Sequence, residues 1–270
     1  MSFQILVATM NQKDFSKIEE MRISSDTVFT NQADCNRIDK TKYKGHEYHM
    51  ITTEMRGVGN NRNMAIMYAD ADICLLSDDD MQYTDGYEEK IIREFESHPK
   101  ADVIIFNIGT STPEFGRIPT QIKKFKRLHR WNKNPFGAPR IAFRLNSVKK
   151  KNVCFTTLFG GGCIFKAGED TIWIEQLLKS GLKIYLSSES IGNVSYSNTT
   201  SYTEDIREKL YTKGAMLEAT KDVLTLPKII LYSFVRKTEG ITKFEALKLI
   251  IAGKKGYRIL QSYRQFCENK

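Results

Sequence analysis

Over the first 110 positions the apolar residues come in short unbroken runs, separated by polar or glycine-containing stretches. Phe3–Thr9, Thr27–Asn31, Tyr48–Thr53, Ile73–Leu76 and Ala101–Asn107 each read as a strand covered on both faces, where strict alternation is not required. Between them the spacing becomes helical. Phe15, Ile18 and Met21 share a face behind a cap at Asn11 or Asp14. Gly57-Val-Gly is a turn opening a helix that carries Ile66, Met67 and Ala69. Asp85-Gly-Tyr-Glu88 has the form of a capping box for a helix to about Ser97. The polar segment up to Lys44 reads as a loop. Strand–helix alternation of this kind predicts an α/β fold with a mostly parallel sheet flanked by helices on both faces.

Past residue 110 the rhythm breaks. Thr112-Pro-Glu-Phe-Gly and Asn134-Pro-Phe-Gly-Ala-Pro139 are loop signals. Gly160-Gly161-Gly162 leads to Glu169-Asp170, which opens an amphipathic helix with Ile172, Ile174, Leu177 and Leu178, ending near Gly181. Carboxylates at a helix start are ordinary caps. Three glycines in a row add the expectation that something approaches the backbone closely there. Lys183–Ser187 reads as a strand and Thr203 to about Val223 as a helix.

One run carries candidate chemistry. Ile73-Cys74-Leu75-Leu76 passes directly into Ser77-Asp78-Asp79-Asp80. The acids therefore fall at the carboxyl end of a buried strand, where open α/β sheets bind ligands. Three adjacent carboxylates repel one another, and a divalent cation with a taste for oxygen, Mg²⁺ or Mn²⁺, relieves that repulsion. The plainer alternative is a solvated acidic turn before the next helix.

Composition narrows the class. Apolar residues make up 41% of the 270, enough for a real core. The five cysteines form no CxxC pair, which argues against a zinc site or disulfide framework and for reduced cytosolic thiols. The amino-terminal residues lack the pattern of a signal peptide, and no apolar run approaches the ~20 residues of a spanning helix. The net charge of +9 is unevenly placed. Between Glu114 and Glu169 there are 13 Lys and Arg and no acid, and residues 226–270 carry +7. The rest of the chain is therefore acidic. Lys123 to Trp131 interleaves basic and aromatic residues, which fits a wall facing a phosphorylated small substrate, or a solvated face, better than nucleic acid. In the tail, Phe244, Leu247, Ile250, Ile251 and Leu260 alternate with Lys243, Lys248, Lys254, Lys255 and Arg258. That is the pattern of helices lying on an anionic membrane surface, with packing across the back of the sheet as the alternative.

Four pieces in order resemble the inverting family 2 glycosyltransferases of the GT-A fold, in the branch that assembles bacterial polysaccharides. They are the opening strand Ile5–Thr9, the segment Gly57 to Arg62, the acids Ser77-Asp78-Asp79-Asp80 as a DxD-like motif, and Gly160 to Asp170 as acceptor loop and Glu-Asp pair. The likeness covers roughly residues 1–200. It implies a GT-A catalytic domain over 1–222, with a nucleotide-binding half at 1–110 and an acceptor half at 111–222, followed by a basic helical tail at 223–270. It implies a nucleoside diphosphate sugar donor, UDP-linked, held by Ala8, Thr9, Gln32, Asp34, Gly57, Arg62, Asp78, Asp79 and Asp80. Mn²⁺ or Mg²⁺ would sit on Asp80 and Asp78. Asp170 would be the general base, with Glu169 positioning the acceptor. Gly161, Gly162, Arg140 and Arg144 would face acceptor or phosphate. The acceptor would be a sugar hydroxyl of a lipid-linked glycan of capsule or lipopolysaccharide type, and the enzyme a cytoplasmic one, peripheral on the inner face of the cell membrane. Ser201-Tyr202 replaces a tryptophan often found there. A nucleotidyltransferase would want a glycine-rich loop after the first strand, where this chain has Met10-Asn11-Gln12-Lys13. A non-catalytic basic binding module would leave the acid triplet and Glu169-Asp170 without a purpose.

Overall fold

The computed structural model describes residues 1–115, 118–130, 136–196, 205–221, 227 and 240–268. Its central strands form where the buried runs lie: β1 (Phe3–Met10), β2 (Thr27–Gln32), β4 (His46–Thr53), β5 (Ile73–Asp78) and β7 (Val103–Thr110). Burying an Ile, Leu or Phe side chain in full is worth about 1.5–3 kcal/mol. Ile73 to Leu76 and Val103 to Phe106 have no exposed surface at all, so these two strands anchor the sheet.

The remaining strands are β3 (Arg37–Tyr43), β6 (Met81–Tyr83), β8 (Lys126–Arg127), β9 (Ile141–Arg144) and β10 (Ile184–Val194). They complete a sheet of order β3-β4-β2-β1-β5-β9-β7-β10-β6, with β8 pairing β10. β4, β2, β1 and β5 run parallel, as do β7 and β10. β9 enters antiparallel between the two groups. One face is covered by α2 (Val58–Tyr68) and α5 (Glu169–Lys179), which join Ala65, Ile66, Trp173 and Leu177 to Leu76, Val103 and Phe143. The other is covered by α1 (Lys17–Glu20) and α3 (Tyr87–Ser97), through Ile18, Ile91 and Phe95 against Phe3, Ile5 and Phe106.

Four local expectations give way. The polar segment before Lys44 is a strand, β3, not a loop. Lys44 and Gly45 both have positive φ, which makes the two-residue hairpin that joins β3 to β4. The 111–151 region holds β9 and α4 (Leu145–Lys151), not loop alone. Asp85 is not a cap: Gly86, at φ 70°, occupies the N-cap of α3, and no side chain bonds its free N–H groups. Likewise α1 starts behind Ser16, whose N–H donates to Asp14 Oδ1.

The tail joins the body. α6 (Ile206–Thr220) is capped by Asp205 and lies against α7 (Lys243–Arg258), which is followed by α8 (Tyr263–Glu268). The crossing is close because it is made on glycines. A Cβ at Gly214 would stand 1.9 Å from the Ile250 carbonyl oxygen, and one at Gly253 would stand 1.8 Å from that of Tyr211. The apolar run Ile229–Val235 and the residues at 223–226 lie outside the described residues. Among the described residues no helix is long and apolar enough to cross a membrane.

Gly253→Ala is expected to force the two helices apart and to cost about 1–3 kcal/mol, read as a lowered urea midpoint. An unchanged midpoint would contradict this crossing.

Candidate active site

β1 and β5 are parallel and Ala8 pairs with Asp78, so Ala8, Thr9 and the acid triplet end at one edge of the sheet. The three acids then meet three different environments. Asp79 accepts a short hydrogen bond from the Thr9 hydroxyl. Asp78 receives Arg62 Nη2 at 2.9 Å and is 35% exposed. Asp80 has one carboxylate oxygen, Oδ1, buried with no partner among the described residues. Burial first, then Asp78 and Asp79, push its carboxyl up to about 7. A buried acid with an unmatched oxygen beside two more acids fits a divalent cation, which would supply both the missing partner and the missing charge. Among the described residues no three His, Cys, Asp or Glu gather into a ready cage. Magnesium-type sites commonly use one or two carboxylates and take the rest from water and substrate phosphates.

Arg62 is the centre of the site. It lies on α2, 3% exposed. Its Nη1 donates to Asp170 Oδ1 at 2.6 Å and to Glu169 Oε1 at 3.2 Å, while Nη2 reaches Asp78. Phe155 lies beneath the guanidinium, 5.4 Å from ring centre to Cζ. Burial acts against the charge, but Asp170, Asp78 and Glu169 outweigh it and hold the guanidinium above its ordinary value. Asp170 is 20% exposed, and its second oxygen accepts the Ala138 N–H at 3.0 Å. Burial pushes Asp170 up to about 7 against the pull of Arg62, with Glu169 and Asp78 adding to the rise.

The glycines are explained by the protein itself. Gly57, at φ 101°, opens α2, and its N–H donates to Gln32 Oε1 at 2.8 Å. The loop 158–165 folds over that helix start: Val58 N–H donates to Gly161 carbonyl at 3.1 Å. A Cβ on Gly160 would strike Val58 Cγ1 at 2.4 Å and the Glu169 carboxyl carbon at 2.9 Å. What comes close to the triple glycine is therefore α2 and the Glu-Asp pair. Gly162 in turn faces Gly57. Asp34 sits apart from this cluster, 94% exposed and paired with Arg56.

Two arginines go elsewhere. Arg140 is buried and donates to the carbonyls of Phe106 and Thr120 and to Asn107 Oδ1. Arg144 pairs in register with Ile73, at the amino end of β5, and donates to the carbonyls of Ala101 and Phe95. The expectation that they face acceptor or phosphate is corrected: both brace backbone that has run out of partners. Nor does Lys126-Arg127 wall the site. As β8 it pairs with the start of β10, by the stacked rings of His98, Phe125 and Tyr185. Trp131 and Ser201-Tyr202 lie outside the described residues.

Sequence reading missed Phe155 and the Ala138 N–H, which hold Arg62 and Asp170, and Cys163, whose Sγ lies 2.9 Å from where a Gly57 Cβ would be. The loop Asn134–Pro139 was visible, but nothing in it announced a backbone donor. Beside Asp170 opens a cavity of ≈ 260 Å³ lined by Phe136, Gly137, Lys166, Ala167, Gly168, Glu169, Asp170 and Thr171. Gly168, in its lining, packs on Met216 of α6, and Tyr257 of α7 lies against Phe159 and Phe165 of the neighbouring loop.

A sheet with acids at its carboxyl edge, facing a Glu-Asp pair across a buried arginine, now has relatives. The family model described as Glycosyl transferase family 2 matches residues 34–159, from just after β2 to the residue before the triple glycine. No protein of curated function matches the chain by sequence. Among solved structures it is similar to TarS 1-349 of S. aureus in complex with UDP-GlcNAc, at 13% identity and TM-score 0.60, over 98% of this chain and 93% of that one. The complex of the same protein with UDP gives the same values. Against a longer TarS chain the identity is 14% and the TM-score 0.57, and only 44% of that chain is spanned. At such identity the likeness is one of fold. Residues 34–159 thus match the family 2 glycosyltransferase model, and the chain shares its fold with the TarS structures.

Arg62→Met would leave three carboxylates around an apolar chain, with an expected loss of about 3–5 kcal/mol at pH 8. The native state holds the Asp170 proton more tightly than the unfolded chain between 3.8 and about 7, so this group's contribution to stability falls as pH rises through that window. Urea unfolding at several pH values should show a smaller loss for Arg62→Met in acid, and a flatter profile for Asp170→Asn than for the parent. Equal losses at pH 5 and pH 8 would contradict the cluster's charge balance.

Proposed function

We propose that the enzyme moves a sugar from a UDP-linked donor to a hydroxyl of a glycan acceptor by single displacement with inversion. One observation carries the reading: Arg62 ties Asp78, on the donor side, to Glu169 and Asp170, on the acceptor side, through a single guanidinium. That link across one guanidinium supports donor and acceptor groups held close together, as an in-line displacement requires.

Asp170 is the base. A sugar hydroxyl is far too weak an acid to ionise freely, and it gives up its proton as it attacks the anomeric carbon. A carboxylate whose pKa lies near 7 takes that proton more readily than an ordinary one. Arg62 and the Ala138 N–H keep Asp170 in one orientation, and each carboxylate oxygen retains a further lone pair for the hydroxyl. Glu169, on the same Arg62 nitrogen, positions the acceptor in the cavity beside it. On the donor side, Ala8, Thr9 and Gln32 lie at the strand ends that would face the nucleoside, with Asp34 outside them. Asp80 and Asp78 would hold Mn²⁺ or Mg²⁺, which supplies Lewis-acid stabilisation of the leaving diphosphate when bound. The TarS complexes with UDP-GlcNAc and UDP, on a similar fold, support a UDP-linked donor. The acceptor is assigned as a lipid-linked bacterial surface glycan, with the enzyme at the cytoplasmic face of the membrane.

Asp170→Asn should lower transfer, or slow donor hydrolysis where no acceptor is supplied, by about 10²- to 10⁴-fold while donor affinity persists. The parent's kcat/KM should rise with pH and level off above about 7, because the base must be unprotonated in the free enzyme. Asp80→Ala should abolish the cation-dependent rise in Tm that a UDP-sugar produces. If no nucleoside diphosphate sugar were turned over or raised the Tm with Mn²⁺ or Mg²⁺ present, the reading would fall.

A further inference from the structure

α7 has two faces of different character. Ala246, Leu249, Ile250, Gly253 and Gly256 are buried, and through them the helix is seated on α6. Phe244, Lys248, Ile251, Lys255 and Ile259 lie on the opposite side, within about 80° of one another at 3.6 residues per turn. Phe244 is 66% exposed, Ile251 43% and Ile259 69%, with Leu260 next to them at 52%. Of the twelve exposed large apolar side chains among the described residues, four cluster within this one helix and its end. The cations between them are not turned to acids. Lys248 lies over the Phe244 ring at 4.4 Å. The only acid of α7, Glu245, faces sideways to Arg207 of α6, and Glu218 engages Lys254 and Arg258 on the flank.

We propose that this outward stripe is the surface by which the protein lies on an anionic lipid bilayer, with Phe244, Ile251 and Ile259 entering the headgroup region and Lys248 and Lys255 meeting lipid phosphates. Charge complementarity names the occupant. A second copy of the chain would bring the same unpaired lysines against themselves, whereas an anionic leaflet satisfies them while it takes up the apolar residues between. The proposal rests on the membrane-facing reading above and sharpens it. Packing on the body and binding a surface are not alternatives here but opposite sides of one helix. Because Tyr257 of α7 abuts Phe159 and Phe165, docking would set the height and tilt of the acceptor loop over the leaflet.

The test is sedimentation of the full chain with vesicles of phosphatidylcholine alone or mixed with phosphatidylglycerol. Binding is expected to the mixed vesicles only, and to weaken with salt. Phe244→Glu with Ile251→Glu, and separately Lys248→Glu with Lys255→Glu, should each reduce binding at least about tenfold. Both pairs point away from the core, so unchanged Tm and unchanged UDP-sugar hydrolysis serve as the control for folding. Binding of both variants equal to the parent would overturn the proposal. So would a dimer in size-exclusion chromatography that Phe244→Glu with Ile251→Glu dissolves, since the stripe would then be a self-interface. Either result with UDP-sugar hydrolysis intact would leave the catalytic reading standing, and loss of that activity in the parent would strike the catalytic reading alone.

Discussion

The site depends on one guanidinium in a place where a charge is costly. Arg62 is withdrawn from water and meets Asp78, Glu169 and Asp170, which come from a strand end and the first turn of a helix more than 100 residues away. Removing a charge from water costs several kcal/mol, and only near-ideal geometry recovers it. The planar fork of arginine can serve two directions at once, Nη1 to one pair and Nη2 to the third acid, which a lysine ammonium could not do from the same position. The cluster keeps an excess of negative charge. Burial above all, with the neighbouring acids adding to it against the pull of Arg62, is why Asp170 holds its proton up to about 7. On the proposed reading, the same imbalance that strains the resting fold would make a base of useful strength.

Close approach of backbone follows from that demand. For Glu169 and Asp170 to reach Arg62, the start of α5 has to sit on the start of α2, and no side chain fits between them. Gly57, Gly160 and Gly162 mark that contact. The loop they form is supported from behind by aromatic rings, Phe159 and Phe165 on Tyr257 and Tyr211. The C-terminal helices thus support that loop mechanically, through α6 and its glycine crossing with α7.

What could be read from the sequence divides along the same physical lines. β1, β5 and β7 were legible because each is buried on both faces and writes its burial as an unbroken apolar run. β3 was not, because as an edge strand of Arg, Asp and Lys it buries neither face. The positions of the acid triplet and of Glu169-Asp170 were legible from local chemistry, a strand end and a helix start. The destination of an arginine was not: Arg62, Arg140 and Arg144 look alike in sequence. One serves three carboxylates, and two serve backbone carbonyls of β7, a loop and the end of α3. Nothing local separates these fates, since the partners lie 16 to 108 residues away in the chain. The triple glycine was correctly read as a point of close approach, but the visitor is the protein's own helix. In the tail, +7 signalled a surface but could not show that the helix also has a packed side.

The acid triplet shows how folding sorts groups that the sequence leaves equivalent. Adjacent residues on a strand end point in different directions. Asp79 turns to the Thr9 hydroxyl on the neighbouring strand. Asp78 turns to Arg62. Each thereby gains a partner that stabilises its charged form. Asp80 is left with an oxygen that is buried and unmatched, beside two groups of its own sign. It can settle that debt by holding a proton, at the cost of its charge, or by taking a cation from outside the chain. If a diphosphate donor binds at the same edge of the sheet, as proposed, a cation would answer both the acid and the incoming phosphates, whereas a proton would answer only the acid. The local electrostatics therefore favour Asp80 as the direct ligand, with Asp78 held back by Arg62.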